Sequence, residues 1–285
     1  MMYQASAIFE GGGMRGGYAT GVIDAFLEND IEFSSIYAVS AGACHATSYV
    51  AKQHGRAFRL CSNYLHDREY CSLHSLITTG TLFGRDMMFR RFHVDLDPFD
   101  FDTFAAYKGK FYAVATDMAT GKPAYLQLAP DSPRRQFPEV MASCSMPLLA
   151  RIVPINGHEY LDGFVGDSIP VRKSIEDGNT KNVLILTRPA SYHKGIEASL
   201  PFIALKYHRY PNFVRACRTR AQRYNETMAF IAAEEKEGNI FVIRPRENLP
   251  VGVVTKDYAK VRSLYDIGYT DTVSHMSELL AYLRS

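Results

Sequence analysis

The stretch Gly11-Gly12-Gly13-Met14-Arg15-Gly16-Gly17 constrains this chain more than any other. It follows a short apolar run, Ala5-Ser6-Ala7-Ile8-Phe9, and precedes an amphipathic one, Tyr18 to Leu27. That order reads as strand, glycine loop, helix. Glycines let the backbone take positive φ and present bare N–H groups, and the helix start adds the positive end of its dipole. Such a loop holds negative charge, either on a bound phosphate or on an oxygen that is charged only during a reaction.

A second apolar run, Ile36-Tyr37-Ala38-Val39, stops at Ser40-Ala41-Gly42-Ala43 and is followed by helical character from Cys44 to Leu60. Strand, loop, helix, strand, turn, helix is the start of a parallel sheet with crossover helices. Residues 61–107 are mixed, with Gly80 and Gly84 in a loop and a polar turn region at 95–100. A strand at 111–117 returns at 124–128 after a turn at Thr120-Gly121, and Ser132-Pro133 reads as a helix start. Runs at 152–155 and 159–161 flank Asn156-Gly157, a strong hairpin signal, and deliver Asp162-Gly163 into a loop. A buried strand at 181–187 follows. The chain is then helical and basic over 196–237 with an interruption at Pro211, and it ends with a strand at 240–243 and a helix at 266–283.

Composition narrows the class. With 285 residues, 47% hydrophobic and 22% charged, the chain is an ordinary folded protein and not a disordered one. A formal charge of +2 gives no global case for nucleic acid as a partner. No run of 18 apolar residues is present and the N-terminus lacks the pattern of a signal peptide, so neither a transmembrane helix nor a leader is expected. Five cysteines without CxxC spacing argue against a disulfide framework or a zinc site and fit reduced thiols in the cytoplasm.

Gly11, Gly13 and Gly16 match the GxGxxG dinucleotide fingerprint. That fingerprint needs an acid at the end of the second strand to hold the ribose, and here Val39-Ser40 stands there, with Glu32 before the strand. A P-loop lacks its Gly-Lys-Ser/Thr. Ala38-Val39-Ser40-Ala41-Gly42 is nearly GxSxG, the strained strand-to-helix turn that projects a nucleophilic serine. Alone, AxSxG also reads as a small-residue turn packing a helix onto the sheet.

Together these motifs resemble the patatin-like phospholipase family: Glu10 to Gly16, then Val39-Ser40-Ala41-Gly42-Ala43, then Asp162-Gly163. Further similar stretches are Ala142-Ser143-Cys144-Ser145-Met146-Pro147, Val114 to Asp117 with Thr120-Gly121, and Arg223-Tyr224-Asn225. The resemblance spans nearly the whole chain and is greatest to bacterial patatin-like proteins with a C-terminal extension. It implies a three-layer α/β/α fold around a largely parallel sheet, with a core over 1–188 and a mainly helical extension over 189–285. It implies Ser40 as nucleophile, Asp162 as its base, and Gly11, Gly12 and Gly13 as the oxyanion hole. The expected activity is serine acyl hydrolysis of lipid or other carboxylic esters, without metal or organic cofactor. Arg15 supports the loop or the developing charge, or makes a structural salt bridge. The alternatives are a phosphoryl-ligand or nucleotide binding module, and a catalytically silent scaffold of the same fold.

An ordinary aspartate, with a pKa of about 3.9, is a poor base toward a serine hydroxyl. The dyad therefore requires a partly desolvated Asp162 and a short hydrogen bond. By residue type alone, Asp162-Gly163 is simply a turn. A Ser-His-Asp triad is the competitor, with His158, His193, His208 and His275 available and His158 first because it shares the hairpin with Asp162. Ala38 and Phe164 depart from the family pattern, and Phe164 is placed to narrow a pocket. Cys44 reads as a packed thiol. Lys206, His208, Arg209, Arg215, Arg218, Arg220 and Arg223, interleaved with Tyr207, Tyr210 and Phe213, form a basic segment. It reads as a solvated helix face with internal ion pairs before it reads as a peripheral membrane contact.

Overall fold

A computed structural model describes residues 2–128, 137–248 and 251–285. The N-terminal apolar run forms β1 (Met2–Phe9), followed by a 3-10 turn (Gly13–Gly16) and α1 (Gly17–Glu28). Next come β2 (Glu32–Val39), α2 (Ala41–Val50), α3 (Arg56–Ser62), α4 (Leu73–Thr79), a π-helical segment (Met87–Leu96) and α5 (Phe101–Ala105). The middle of the chain gives β3 (Lys110–Asp117), β4 (Pro123–Gln127), α6 (Pro138–Ser143), β5 (Val153–Ile155), β6 (His158–Asp162), α7 (Val171–Glu176) and β7 (Asn182–Ile185). The C-terminal part adds α8 (Leu200–Lys206), α9 (Pro211–Lys236), β8 (Ile240–Ile243), α10 (Tyr258–Ser274) and α11 (Met276–Arg284).

The strands form one sheet in the order β5-β6-β3-β2-β1-β7-β8, with β4 also paired to β3. β3, β2, β1, β7 and β8 are parallel, β4 and β6 run antiparallel to β3, and β5 pairs antiparallel with β6. Side chains of a strand alternate between faces, and both faces of the centre are covered. Ala7, Phe9, Ile36 and Ala38 pack into the layer that holds α1, α2 and α11. Ile8, Tyr37 and Leu184 face the opposite layer, where α9 contributes Tyr224, Met228 and Ile231. The expected α/β/α fold with a largely parallel sheet is therefore present.

The C-terminal extension is built into this core. β8 continues the sheet beside β7, and Leu279 and Leu283 of α11 join the cluster around β1. α10 crosses α1 at backbone distance: a Cβ on Gly21 would lie 2.1 Å from the Tyr265 carbonyl oxygen, and one on Gly268 2.0 Å from that of Tyr18. Replacing either glycine would force these helices apart.

Several element boundaries differ from the sequence reading. Helical character from Cys44 to Leu60 is two helices, divided where Lys52 and Gly55 take positive φ, 53° and 71°. Glu32 opens β2 instead of preceding it, and its carboxylate meets Lys52. The helical stretch over 196–237 is interrupted before Pro211 as expected, between α8 and α9, and Pro211 starts the second helix, where proline lacks only an N–H that has no intrahelical partner. The final helix expected at 266–283 begins at Tyr258, capped by the Asp257 side chain on the Lys260 N–H, and is divided at His275. The helix start at Ser132-Pro133 lies outside the described residues. The hairpin at Asn156-Gly157 forms with φ of 50° and 82° at its two central residues, as its sequence demands. Among the described residues, no helix is long and apolar enough to cross a membrane.

Candidate active site

β2 ends at Val39, and Ser40 makes the turn into α2 with φ 54° and ψ −126°. This is a strained conformation for a residue with a side chain, and it projects Oγ beyond the sheet. The turn tolerates no side chain two residues later. A Cβ on Gly42 would come within 2.8 Å of the carbonyl oxygens of Phe9 and Glu10. Ala38, the departure from the usual first glycine, is fully buried in register with Phe9 and Ala113, so its methyl is accommodated in the sheet.

Asp162 is 122 positions away in sequence. Sheet register brings it in. β2 pairs with β3 up to Val39 opposite Val114, and β6 takes over opposite Ala115 with Asp162. Since β4 occupies the other edge of β3 over the same residues, β6 continues the edge that β2 leaves. The aspartate is thereby set next to the end of β2. Ser40 Oγ donates to Asp162 Oδ2 at 2.8 Å. The Phe164 N–H donates to Oδ1 at 3.1 Å.

Ser143 and Ser145 hold both partners. Ser143 Oγ accepts the Ser40 N–H at 2.8 Å, and the Ser145 carbonyl accepts the Asp162 N–H at 2.8 Å. The sequence marked residues 142–147 as resembling the family but assigned Ser143 no task. Complete burial pushes the Asp162 carboxyl up to about 7, opposed in part by the Phe164 N–H, the Ser40 hydroxyl and the charge of Arg220. The desolvation that an aspartate base needs is thus present.

The glycine loop lies against this pair. A Cβ on Gly11 would be 2.8 Å from Ser40 Cβ, and one on Gly12 would be 3.0 Å from Thr187 Oγ1. Gly13 takes φ 57°, where a side chain would also strike the Val253 carbonyl. Among the described residues, the N–H groups of Gly11, Gly12 and Gly13 donate to no protein atom, nor does that of Ala41 just after Ser40. Glu10 fixes the loop: its carboxylate accepts from Tyr224 Oη at 2.8 Å and from the Thr187 N–H at 2.7 Å. Arg15 has no carboxylate within ion-pair distance among the described residues, and its buried Nε has no hydrogen-bond partner there. The salt-bridge reading of Arg15 therefore finds no partner.

None of the candidate triad histidines meets Ser40. His158 Nδ1 is 3.0 Å from Asp117 Oδ2 and its side chain is mostly exposed. His193 lies by Asn225, while His208 and His275 contact the backbone carbonyls of Leu205 and Asp271. A histidine the sequence reading passed over, His45 on α2, does line a cavity with Ser40, and burial holds it neutral by pulling its pKa down to about 4. Cys44 packs with its Sγ 3.2 Å from that of Cys144. The basic segment is divided. Tyr207 and Phe213 are buried, Arg220 and Arg223 donate to the carbonyls of Phe164 and Val165, and Lys206, Arg209, Arg215 and Arg218 are exposed.

Two cavities meet at Ser40. One is lined by Phe83, Met88, Phe89, Met141, Met146 and Leu149. The other is a charged cleft that includes the glycine loop, Glu10, Arg15, Arg188, Lys194 and Arg220. Phe164 lines the cleft and not the apolar pocket, and the Arg220 guanidinium stacks 4.0 Å from its ring centroid. No group of acidic, histidine or cysteine side chains among the described residues is arranged to hold a metal ion.

Comparison with known proteins gives the family. Residues 210–284 match a domain of unknown function (DUF6363). The uncharacterized protein YjjU of Escherichia coli (strain K12) is 29% identical over 193 residues, covering 65% of this chain and 52% of that protein. The chain thus spans about half the length of that curated relative. The crystal structure of VipD from Legionella pneumophila aligns with a TM-score of 0.45 and 12% identity, covering 95% of this chain and 67% of that one. Residues 7–174, more than half of the chain and inclusive of Ser40 and Asp162, match the model for patatin-like phospholipase, so the chain belongs to that family of lipid hydrolases.

Proposed function

We propose that this protein is a serine acyl hydrolase that cleaves carboxylic esters of lipids, with Ser40 as nucleophile and Asp162 as its base. The observation that carries this reading is the 2.8 Å hydrogen bond to a fully buried carboxylate from the Oγ of Ser40, which itself lines an apolar pocket. In the first half-reaction Oγ attacks the ester carbonyl carbon while its proton passes to Asp162. Negative charge moves to the carbonyl oxygen, where the N–H groups of Gly11, Gly12 and Gly13 receive it, each worth roughly 2.7–4 kcal/mol in the transition state. The α2 N-terminus, beginning one residue after Ser40, adds its dipole. Collapse expels the alcohol, which takes the proton from Asp162 and leaves an acyl-Ser40 ester. Water, deprotonated by the same carboxylate, then releases the fatty acid and restores Ser40.

Arg15, at the foot of the cleft, supports charge on the loop side. The acyl chain occupies the apolar pocket. Exposed Phe202 and Leu205, beside Lys206 and Arg209, offer α8 for contact with a lipid surface. A fluorophosphonate probe tests the assignment on the wild-type, Ser40→Ala, Asp162→Asn and His158→Ala proteins. Labelling should disappear in the first two variants and persist in the third. Full labelling of Asp162→Asn, or its loss in His158→Ala, would sink the dyad.

A further inference from the structure

The polar cleft beside Ser40 has a charge imbalance that the proposed acyl transfer does not use. Arg15, Arg188, Lys194 and Arg220 line it together with two carboxylates, Glu10 and Glu197. Glu197 pairs with Arg220 and, at 3.5 Å, with Lys194. Glu10 is turned to Tyr224 and Thr187. Arg15 and Arg188 therefore lack an ion-pair partner among the described residues. The third nearby acid, Asp162, does not line the cleft, and its two oxygens are engaged by Ser40 Oγ and the Phe164 N–H.

The cations are also held in place, as a binding site requires. Asn225 clamps the Lys194 backbone, accepting its N–H at 2.8 Å and donating to its carbonyl at 3.0 Å. Arg188 stacks 4.3 Å from the Tyr192 ring centroid and reaches Asn248 at 3.3 Å. Arg220 is fixed by Phe164, both by its ring and by its carbonyl. The cost of assembling these charges is visible at Lys194. Burial, together with Arg220, Arg15 and Arg188, pulls its ammonium down to about 8. Like charges gathered by fixed side chains, with a buried guanidinium Nε left without a partner, are a cradle for an anion.

We propose that this cleft binds a phosphoryl group that carries uncompensated negative charge, through Arg188, Lys194 and Arg220 of the C-terminal segment together with Arg15. Two unmatched cations call for about two negative charges, which a phosphomonoester supplies at neutral pH. Guanidinium forks converging from different elements suit its several oxygens better than the two of a carboxylate. A zwitterionic headgroup brings a cation into the same field and is disfavoured. The phosphoryl group has two sources, the headgroup of an ester substrate or free phosphate. Only the first depends on the acyl-hydrolase reading above.

The test uses the full chain in two arms. In the first, kcat/KM is measured on phosphatidic acid and phosphatidylcholine of matched acyl chains in mixed micelles, and on a neutral p-nitrophenyl ester. The wild type should prefer phosphatidic acid over phosphatidylcholine at least tenfold, and that ratio should fall to within about twofold in Arg188→Met and in Lys194→Met. A wild-type ratio near one, or a ratio unchanged in both variants, overturns a headgroup site. In the second arm, inorganic phosphate and glycerol 3-phosphate are titrated calorimetrically into the wild type and Arg188→Met. Saturable binding that weakens at least fivefold in the variant supports the cleft. Absence of binding together with a headgroup ratio near one overturns it for both sources. If no ester is hydrolysed, the neutral one included, the Ser40–Asp162 reading fails and the titration alone decides, its failure then overturning the cleft as well.

Discussion

The two cavities that meet at Ser40 share part of their walls and differ in the charge they carry. The apolar pocket is lined by residues from the glycine loop and α2 to the segment after α6, with Met88 and Phe89 delivered by the π-helical segment. The polar cleft draws Arg188, Lys194, Glu197 and Arg220 from beyond β7. An acyl chain gains about 0.8 kcal/mol per buried methylene, so four of them supply about 3 kcal/mol on the apolar side. The cleft has an apolar wall of its own, with Pro147, Phe164, Val253 and Val254, and adds a positive field with fixed donors. The ester carbonyl thus sits at a boundary between two environments that share Gly13, Ser40, Met146 and Leu149, while Met88 lines only the first and Arg188 only the second.

The largest expected effect lies on the boundary itself. Ser40→Ala should lower ester turnover by at least about 10⁵-fold, as removal of an essential nucleophile does, with loss of fluorophosphonate labelling. Asp162→Asn comes next, with a fall of about 10³–10⁴-fold in kcat. Its pH behaviour separates catalysis from stability. Because burial raises the Asp162 carboxyl to about 7, the wild-type rate should climb as pH rises through 7 and then level. Stability runs the other way. The folded protein holds that proton more tightly than the unfolded chain, so the contribution is full below the ordinary aspartate pKa and is lost as pH rises through about 7. Asp162→Asn should therefore melt higher than the wild type at pH 8, and the gap should close at pH 4. A scan of melting temperature against pH reads this directly.

A smaller effect separates the two sides. Met88→Trp fills space in the apolar pocket only. Loss of room for about two methylenes predicts a fall of roughly tenfold in kcat/KM for a ten-carbon ester relative to a four-carbon ester. A uniform fall for both esters would show that the acyl chain lies elsewhere. Smallest is Ser143→Ala, which removes the acceptor of the Ser40 N–H while touching neither cavity's lining. Losing one such hydrogen bond costs about 1 kcal/mol, so kcat should fall about fivefold with KM nearly constant, and Ser143→Thr should restore it.

How much of this was legible in the sequence depends on distance along the chain. The glycine loop, the serine turn and the Asn156-Gly157 hairpin are local devices. Glycine permits the angles of the loop and the hairpin, and small neighbours leave room for the turn at Ser40, so the residues mark where such devices can form. The final helix begins earlier than its sequence suggests because Val261 and Leu264 are the only branched aliphatic residues in its first two turns, and they become a buried stripe only once Gly268 lets α10 reach α1. Ser143 and His45 carried no signal, since a serine in a small-residue run and a histidine in a helix acquire their neighbours only on folding.

The sequence by itself determined the strand–loop–helix order, the small-residue turn at Ser40 and the glycine loop before it, because each follows from steric limits within a few residues. Tertiary structure alone decided which acid faces that serine. β3 carries β2 and then β6 along one edge, and Asp162 comes opposite Ala115 directly after Val39 opposite Val114. Register between strands far apart in sequence is set by packing of the whole sheet, and no local pattern encodes it. The same holds for Arg188, Lys194 and Arg220, which become one positive cleft only when the C-terminal segment folds back over the glycine loop.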